Sequence, residues 1–298
     1  RKEELYAYDL VIFGDVDPKQ LQPAQLEALG EFVSKFGGAF VMLAGRRFSP
    51  SAYRKTVIEK MLPVELETVS FETPPKEPGT GQAVRLELTA AGKSSSMLRL
   101  SDKDQESLAR WAQLPPVYWV GRVARSKPAA EVLVVDPDPS KSSRFGKMPV
   151  IAQQQYGLGQ VMYIGTDNLW RWRRNAGDRY HTMIWGQLTQ RLALPHPLGL
   201  SKRTQLSADR QTYAAGDRVA IFARLYNESY DPVTEPVLRG AYSIASEPGG
   251  AAAAALDREV LLRPLPGQPG MYRGEFMAPA PGAYSFRVER DPQARLDF

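Results

Sequence analysis

No cysteine occurs anywhere in the 298 residues. Disulfides, thiolate metal sites and a cysteine nucleophile are therefore excluded together. The absence fits an oxidising compartment as well as a reducing one, so it does not place the protein. Histidine is nearly as scarce, with only His181 and His196, which leaves few candidates for a general base. No apolar run approaches the roughly 20 residues that cross a bilayer, so membrane attachment is expected only through segments absent from this chain. Arg1-Lys2-Glu3-Glu4 offers neither an initiator Met nor a signal-like stretch, as expected of a piece of a longer polypeptide. A dense basic stripe is also missing. The net charge of +5 lies entirely in the first 200 residues, where 26 basic face 21 acidic side chains, while residues 201–298 hold 12 of each. Nucleic-acid binding normally needs more, and no nucleic-acid partner is expected.

What is present reads as two domains, 1–195 and 203–298. Asp9 to Gly14 is a short apolar run of the kind a strand buried on both faces shows. Pro23 suits a helix start, Leu26, Leu29, Phe32, Val33 and Phe36 recur at helical spacing, and Gly37-Gly38 ends the helix. A second strand, Ala39 to Ala44, and a second helix, Ser51 to Leu62, complete a right-handed βαβ pattern, which predicts an α/β domain with a mostly parallel sheet. Pro74 to Gly79 reads as a loop and Ala83 to Leu88 as an edge strand. A helix is predicted over Gln105 to Ala112, capped from Ser101 to Asp104. Further strands are predicted at Val117 to Val123, Glu131 to Asp136 and Pro149 to Tyr156. The last of these forms a hairpin with Val161 to Gly165 through the Gly157-Leu158-Gly159 turn, and a helix over Asp178 to Leu192 closes the domain. Leu194 to Gly199 is a linker by composition. Beyond it, short alternating segments around Asp217 to Tyr226, Val237 to Ile244, Glu259 to Leu265, Gly270 to Phe276 and Gly282 to Val288 predict a small immunoglobulin-like β-sandwich. A low-complexity loop, Gly249 to Ala255, interrupts it.

Sites in α/β proteins form where strands exit into helices, and the candidates cluster there. Asp15 and Asp17 follow the first strand and Asp167 the last. Together they could hold a divalent cation through hard oxygen ligands, or each could cap its own turn. Arg46 and Arg47, after the second strand, could bind an anion or lie on a solvated turn. Trp170-Arg171-Trp172-Arg173 could stack bases. The same alternation could be an Arg/aromatic ladder, joined by Trp185, that clasps the last strand to the last helix. Asp138-Pro139-Ser140-Lys141-Ser142 matches an Asp-x-Ser-x-Ser metal motif, but no helix follows it. His181 has no cysteine or serine partner in sequence.

Three blocks resemble the class I glutamine amidotransferase-like domains of bacterial membrane proteins that also carry a von Willebrand factor A region. They are Tyr8 to Val16, Gly37 to Gly45, and Gly159 to Asp167 with Trp170 to Arg173 and Trp185. The resemblance covers roughly residues 5–193. It implies a flavodoxin-like α/β sandwich, a β-sandwich companion and a membrane-anchored parent; the chain is then expected to be the soluble portion of a bacterial inner-membrane protein, with its side of the membrane, periplasmic or cytoplasmic, left open. An active member uses a Cys on the elbow after the second strand, here Gly45-Arg46-Arg47-Phe48-Ser49, and a His where this chain has Thr166-Asp167-Asn168. Neither is present. A nucleophile needs an adjacent base, and Ser49 has no histidine near it in sequence.

The expectation is thus a non-catalytic interaction or ligand-sensing module with no cofactor and no bound metal. Its partner would be another protein or the rest of the parent chain. Ligand contacts are expected at Asp15, Asp17, Arg46, Asp167, Trp170 and Arg171. The alternative is an amidotransferase-like hydrolase with an atypical, metal-assisted site.

Overall fold

The computed structural model describes residues 2–67, 82–174, 177–193, 202–244 and 258–298. The predicted Pro74–Gly79 loop, the Leu194–Gly199 linker with His196, and the Gly249–Ala255 loop lie outside them. The chain divides into two compact units, Glu4–Pro195 and His196–Phe298, with Arg1–Glu3 belonging to the second.

After the short α1 (Lys2–Tyr6), the first unit runs β1 (Leu10–Phe13), α2 (Pro23–Ser34), β2 (Ala39–Leu43), α3 (Val57–Met61), β3 (Val64–Glu65) and β4 (Glu87–Leu88). It continues with α4 (Ala90–Ser94), α5 (Asp104–Gln113), β5 (Arg125–Ser126), β6 (Glu131–Asp136), β7 (Met148–Tyr156), β8 (Gly159–Ile164) and α6 (Arg179–Ala193). Six strands form one sheet in the order β1-β2-β8-β7-β6-β4, and β3 pairs separately with β5. Strands β2 and β8 lie inside the sheet, each paired on both sides, and their apolar runs are buried almost throughout, as near-continuous hydrophobic strands require. Helix α2 packs on β8 and α3, whereas α6 packs on β1 and on two 3-10 turns, Ser96–Leu98 and Asn168–Arg173. Gly157 turns the β7–β8 hairpin at φ +61°, and a Cβ there would meet the Ser34 carbonyl oxygen at 2.4 Å. Only glycine lets this turn press against the end of α2.

The flavodoxin-like expectation is corrected here. Only the β1–β2 and β2–β8 pairs are parallel. Strands β7, β6 and β4 join antiparallel, so the sheet is mixed rather than mostly parallel. The reason is the connection: a two-residue turn can only return the chain beside itself, so the Gly157-Leu158 hairpin makes β7 run against β8, and the short Pro137–Lys147 connection likewise returns β7 against β6. Two local expectations also change. Lys55 at φ +62° breaks the predicted 51–62 helix into a 3-10 turn, Ser51–Tyr53, and α3. Val117 to Val123 is not a strand: only Val117 bridges, to Val84.

The second unit is β9 (Thr204–Ala208), β10 (Arg218–Leu225), β11 (Leu238–Ile244), β12 (Arg258–Pro264), β13 (Met271–Met277), β14 (Tyr284–Val288) and β15 (Asp291–Asp297). These form one antiparallel sheet in the order β15-β14-β11-β12-β13-β10-β9, not the two facing sheets of an immunoglobulin-like sandwich. Strand β12 makes the difference. Its first residues pair with β11, and Arg263 and Pro264 pair with β13, which carries the ladder from one layer into the next. The outermost strands then approach each other, and Thr204 Oγ1 on β9 donates to Asp291 Oδ2 on β15 at 2.8 Å. The result is a nearly closed, barrel-like sheet around Val219, Ile221, Leu262, Tyr272 and Phe286.

Candidate functional site

Because β1, β2 and β8 are parallel, their carboxyl ends lie on one rim of the sheet. At the exit of β1, Asp15 faces the loop that leaves β2. Its Oδ1 accepts from the backbone N–H groups of Phe48 (2.7 Å) and Ser49 (2.8 Å), and its Oδ2 from that of Arg47 (2.9 Å). Three successive N–H groups converging on one carboxylate form an anion-binding nest, and the nest is filled by the protein's own side chain. The approach is close: a Cβ on Gly45 would come within 2.1 Å of the Asp15 carboxyl carbon. Ser49, the one hydroxyl on this elbow, is buried and donates to the Gly14 carbonyl at 2.9 Å. Asp17 caps the Pro18–Gln20 turn through Lys19 N at 2.9 Å. Beneath them Tyr53 donates to the Val16 carbonyl at 2.8 Å. Burial first, then the Asp17 and Asp15 carboxylates, push its hydroxyl up to about 12.

At the exit of β8, Thr166 Oγ1 donates to the Trp119 carbonyl (2.6 Å) and accepts from Asn168 N (3.0 Å). Asn168 Oδ1 accepts from Tyr118 N at 3.1 Å, and its Nδ2 donates to Asp167 Oδ1 at 2.6 Å. These bonds lay the Tyr118-Trp119 segment along the rim beside β8. The chain then winds as a 3-10 turn, Asn168–Arg173. Three residues per turn put positions i and i+3 on one side, so Leu169 and Trp172 are both buried while Trp170 stays 52% exposed. Trp172 meets Trp111 edge-on at 5.3 Å, and Trp111 is fixed by donating to the Leu98 carbonyl at 2.6 Å.

The guanidinium of Arg171 lies over the Tyr118 ring at 4.6 Å and over the Trp170 ring at 4.7 Å. Arg46 lies over Trp119 at 5.9 Å. Arg46, Trp170 and Arg171 are legible in the sequence, whereas Tyr118 and Trp119 are not, because two aromatics ahead of Gly121 read as part of a strand. Trp185, expected in the same ladder, makes its ring contact with His181 on α6 at 6.3 Å. Burial and then Arg173 push His181 below its ordinary value, with Asp178 pulling the other way.

Asp15, Asp17 and Asp167 thus each serve a separate local structure. Among the described residues, no three His, Cys, Asp or Glu side chains come together to hold a metal ion. In the Asp-x-Ser-x-Ser segment, Asp138 caps the Pro139–Lys141 turn, accepting from Ser140 N (2.9 Å) and Ser140 Oγ (2.8 Å). Lys141 pairs with the buried Asp136 at 3.0 Å. Among the described residues no helix is long and apolar enough to cross a membrane.

No protein-family model matches the chain, and no curated protein matches it. Solved structures do. The cytoplasmic protein STM3548 from Salmonella typhimurium is 19% identical over 64% of this chain and 74% of its own, with a TM-score of 0.44. The cytoplasmic protein STM1381 from Salmonella typhimurium LT2 is 16% identical over the same shares, with a TM-score of 0.45. A β-galactosidase from Rahnella sp. R3 is 15% identical over 92% of this chain but only 33% of its own, with a TM-score of 0.39. At these identities and TM-scores the likenesses decide neither fold nor activity.

Proposed function

We propose that this chain is a non-catalytic interaction or ligand-sensing module of a larger, membrane-anchored bacterial protein, and that it binds at the rim formed by β1, β2 and β8. One observation carries the reading. The backbone N–H groups that could stabilise a developing oxyanion are already engaged by Asp15, and oxyanion stabilisation is usually the largest single contribution to acyl-transfer catalysis. Ser49 points its proton at a carbonyl, away from any base. Meanwhile Trp170 presents an exposed ring. The resemblance to amidotransferase-like domains of von Willebrand factor A-associated proteins supports the membrane-anchored parent. The partner is another protein or the rest of that parent. With only one of the two tryptophans presented, the Trp/Arg segment is a poor platform for a run of stacked bases.

The test is turnover. The purified chain should release no ammonia from glutamine and hydrolyse no activated ester above background. Turnover that disappears in Ser49→Ala would overturn the reading.

A further inference from the structure

We propose that Arg171 is the anion-reading group of this rim, and that its ligand carries a carboxylate or phosphate oxyanion next to a flat ring. The inference rests on the rim being a binding surface and names what it binds. A guanidinium has five N–H donors and no acceptor capacity. Here it lies over two rings, Tyr118 at 4.6 Å and Trp170 at 4.7 Å, and none of its donors is used. The Arg171 side chain makes no hydrogen bond or ion pair with any described residue, its backbone carbonyl alone accepting from Arg174 N. Its Nε is buried without a partner, while its terminal amino groups are not among the buried unpartnered atoms and so reach solvent.

Neither acidic residue flanking the 3-10 turn pairs with it. Asp167 accepts from Asn168 Nδ2, and Asp178 pairs with Arg173. The terminal amino groups, which reach solvent, have no acceptor among the described residues and are free to take one from outside. The two rings fix the guanidinium plane and remove the rotamer cost that an exposed arginine meets on binding. What remains is a rigid donor edge, the geometry that matches two oxygens of a carboxylate or phosphate. Trp170, covered by Arg171 on one side and 52% exposed, offers its outer face to a ring attached to that oxyanion.

Isothermal titration calorimetry on the full chain tests this with phenyl phosphate, benzoate, inorganic phosphate and the neutral benzyl alcohol. Phenyl phosphate, benzoate or both should bind, more weakly as salt is added, and benzyl alcohol should not. Arg171→Gln should weaken binding at least tenfold. Arg171→Lys, which keeps the charge but loses the fork, should not restore it. Trp170→Ala should remove the advantage of ring-bearing probes over inorganic phosphate. Arg191→Gln, on the exposed end of α6, should bind like the parent. Binding of phenyl phosphate alone assigns a phosphate ester, and binding of benzoate alone or of both probes admits a carboxylate. Circular dichroism confirms that each variant is folded. Failure of every anion to bind the folded parent, or equal binding by Arg171→Gln, would make Arg171 a structural clamp and overturn the inference. Neither result would touch the non-catalytic reading, which falls only to turnover.

Discussion

Asp15 and Arg171 stand on one rim and carry opposite charges, yet their surroundings differ in kind. Asp15 takes three backbone N–H bonds from a single loop. Arg171 takes none and is held by the faces of two rings. A charge fully hydrogen-bonded to its own backbone fixes the chain and has little left to offer a ligand. A charge held by stacking alone is positioned while its donors stay free. Charge at a strand exit is therefore a weak indicator of function, and the partners of that charge are a stronger one.

Substitutions separate the two cases. The largest effect is expected at Trp172→Ala, which empties the clasp against Trp111 beside Arg171. The urea midpoint of the first unit should fall by the equivalent of about 3–5 kcal/mol. Asp15→Ala should cost about 3 kcal/mol on the same measurement, because it leaves three loop N–H groups without their acceptor. A loss as small as that of an exposed residue would remove the contrast. The next effect concerns pH. Folded Tyr53 holds its proton up to about 12, so the unfolded chain ionises first and the folded state binds more protons. Stability should be flat below the ordinary tyrosine value of roughly 10, then fall as the pH rises through about 12. Tyr53→Phe should lessen that slope in alkaline denaturation curves, leaving the part that comes from buried Tyr163, whose hydroxyl burial also pushes up. The smallest stability effect is expected at Arg171→Gln, about 1 kcal/mol or less, although the same change should remove anion binding. A loss as large as that of Asp15→Ala would place Arg171 with the structural group.

Much of the first unit was legible because its signals are local. The apolar runs of β1 and β2, the Pro23 helix start and the Gly157 hairpin were read within a residue or two of their observed limits. Sheet direction was not, because Glu131 to Asp136 reads the same whichever way its neighbours run, and the hairpin that settles it was outweighed by the βαβ pattern before it. In the second unit five strands were legible by alternation. Strands β9 and β15 were not: Asp291-Pro-Gln-Ala-Arg-Leu-Asp buries only Ala294 fully. Without them and without the double pairing of β12, five short strands suggest two sheets rather than one. The rim residues were legible as types at strand exits. Their partners were not, since Asp15 is satisfied by residues more than thirty positions away. Nor could the sequence tell Trp170 from Trp172, because that depends on the chain winding as a 3-10 turn rather than an α-helix.

The meeting of β9 and β15 bears on solubility. An unpaired strand is a template on which another chain can add, and natural sheets protect or remove such templates. Here the Thr204–Asp291 bond draws the two ends of a seven-stranded ladder together, which leaves little open backbone for a stray strand to join. Thr204→Val would loosen that join, and its first symptom in concentrated solution should be self-association rather than unfolding, visible as growth in light scattering.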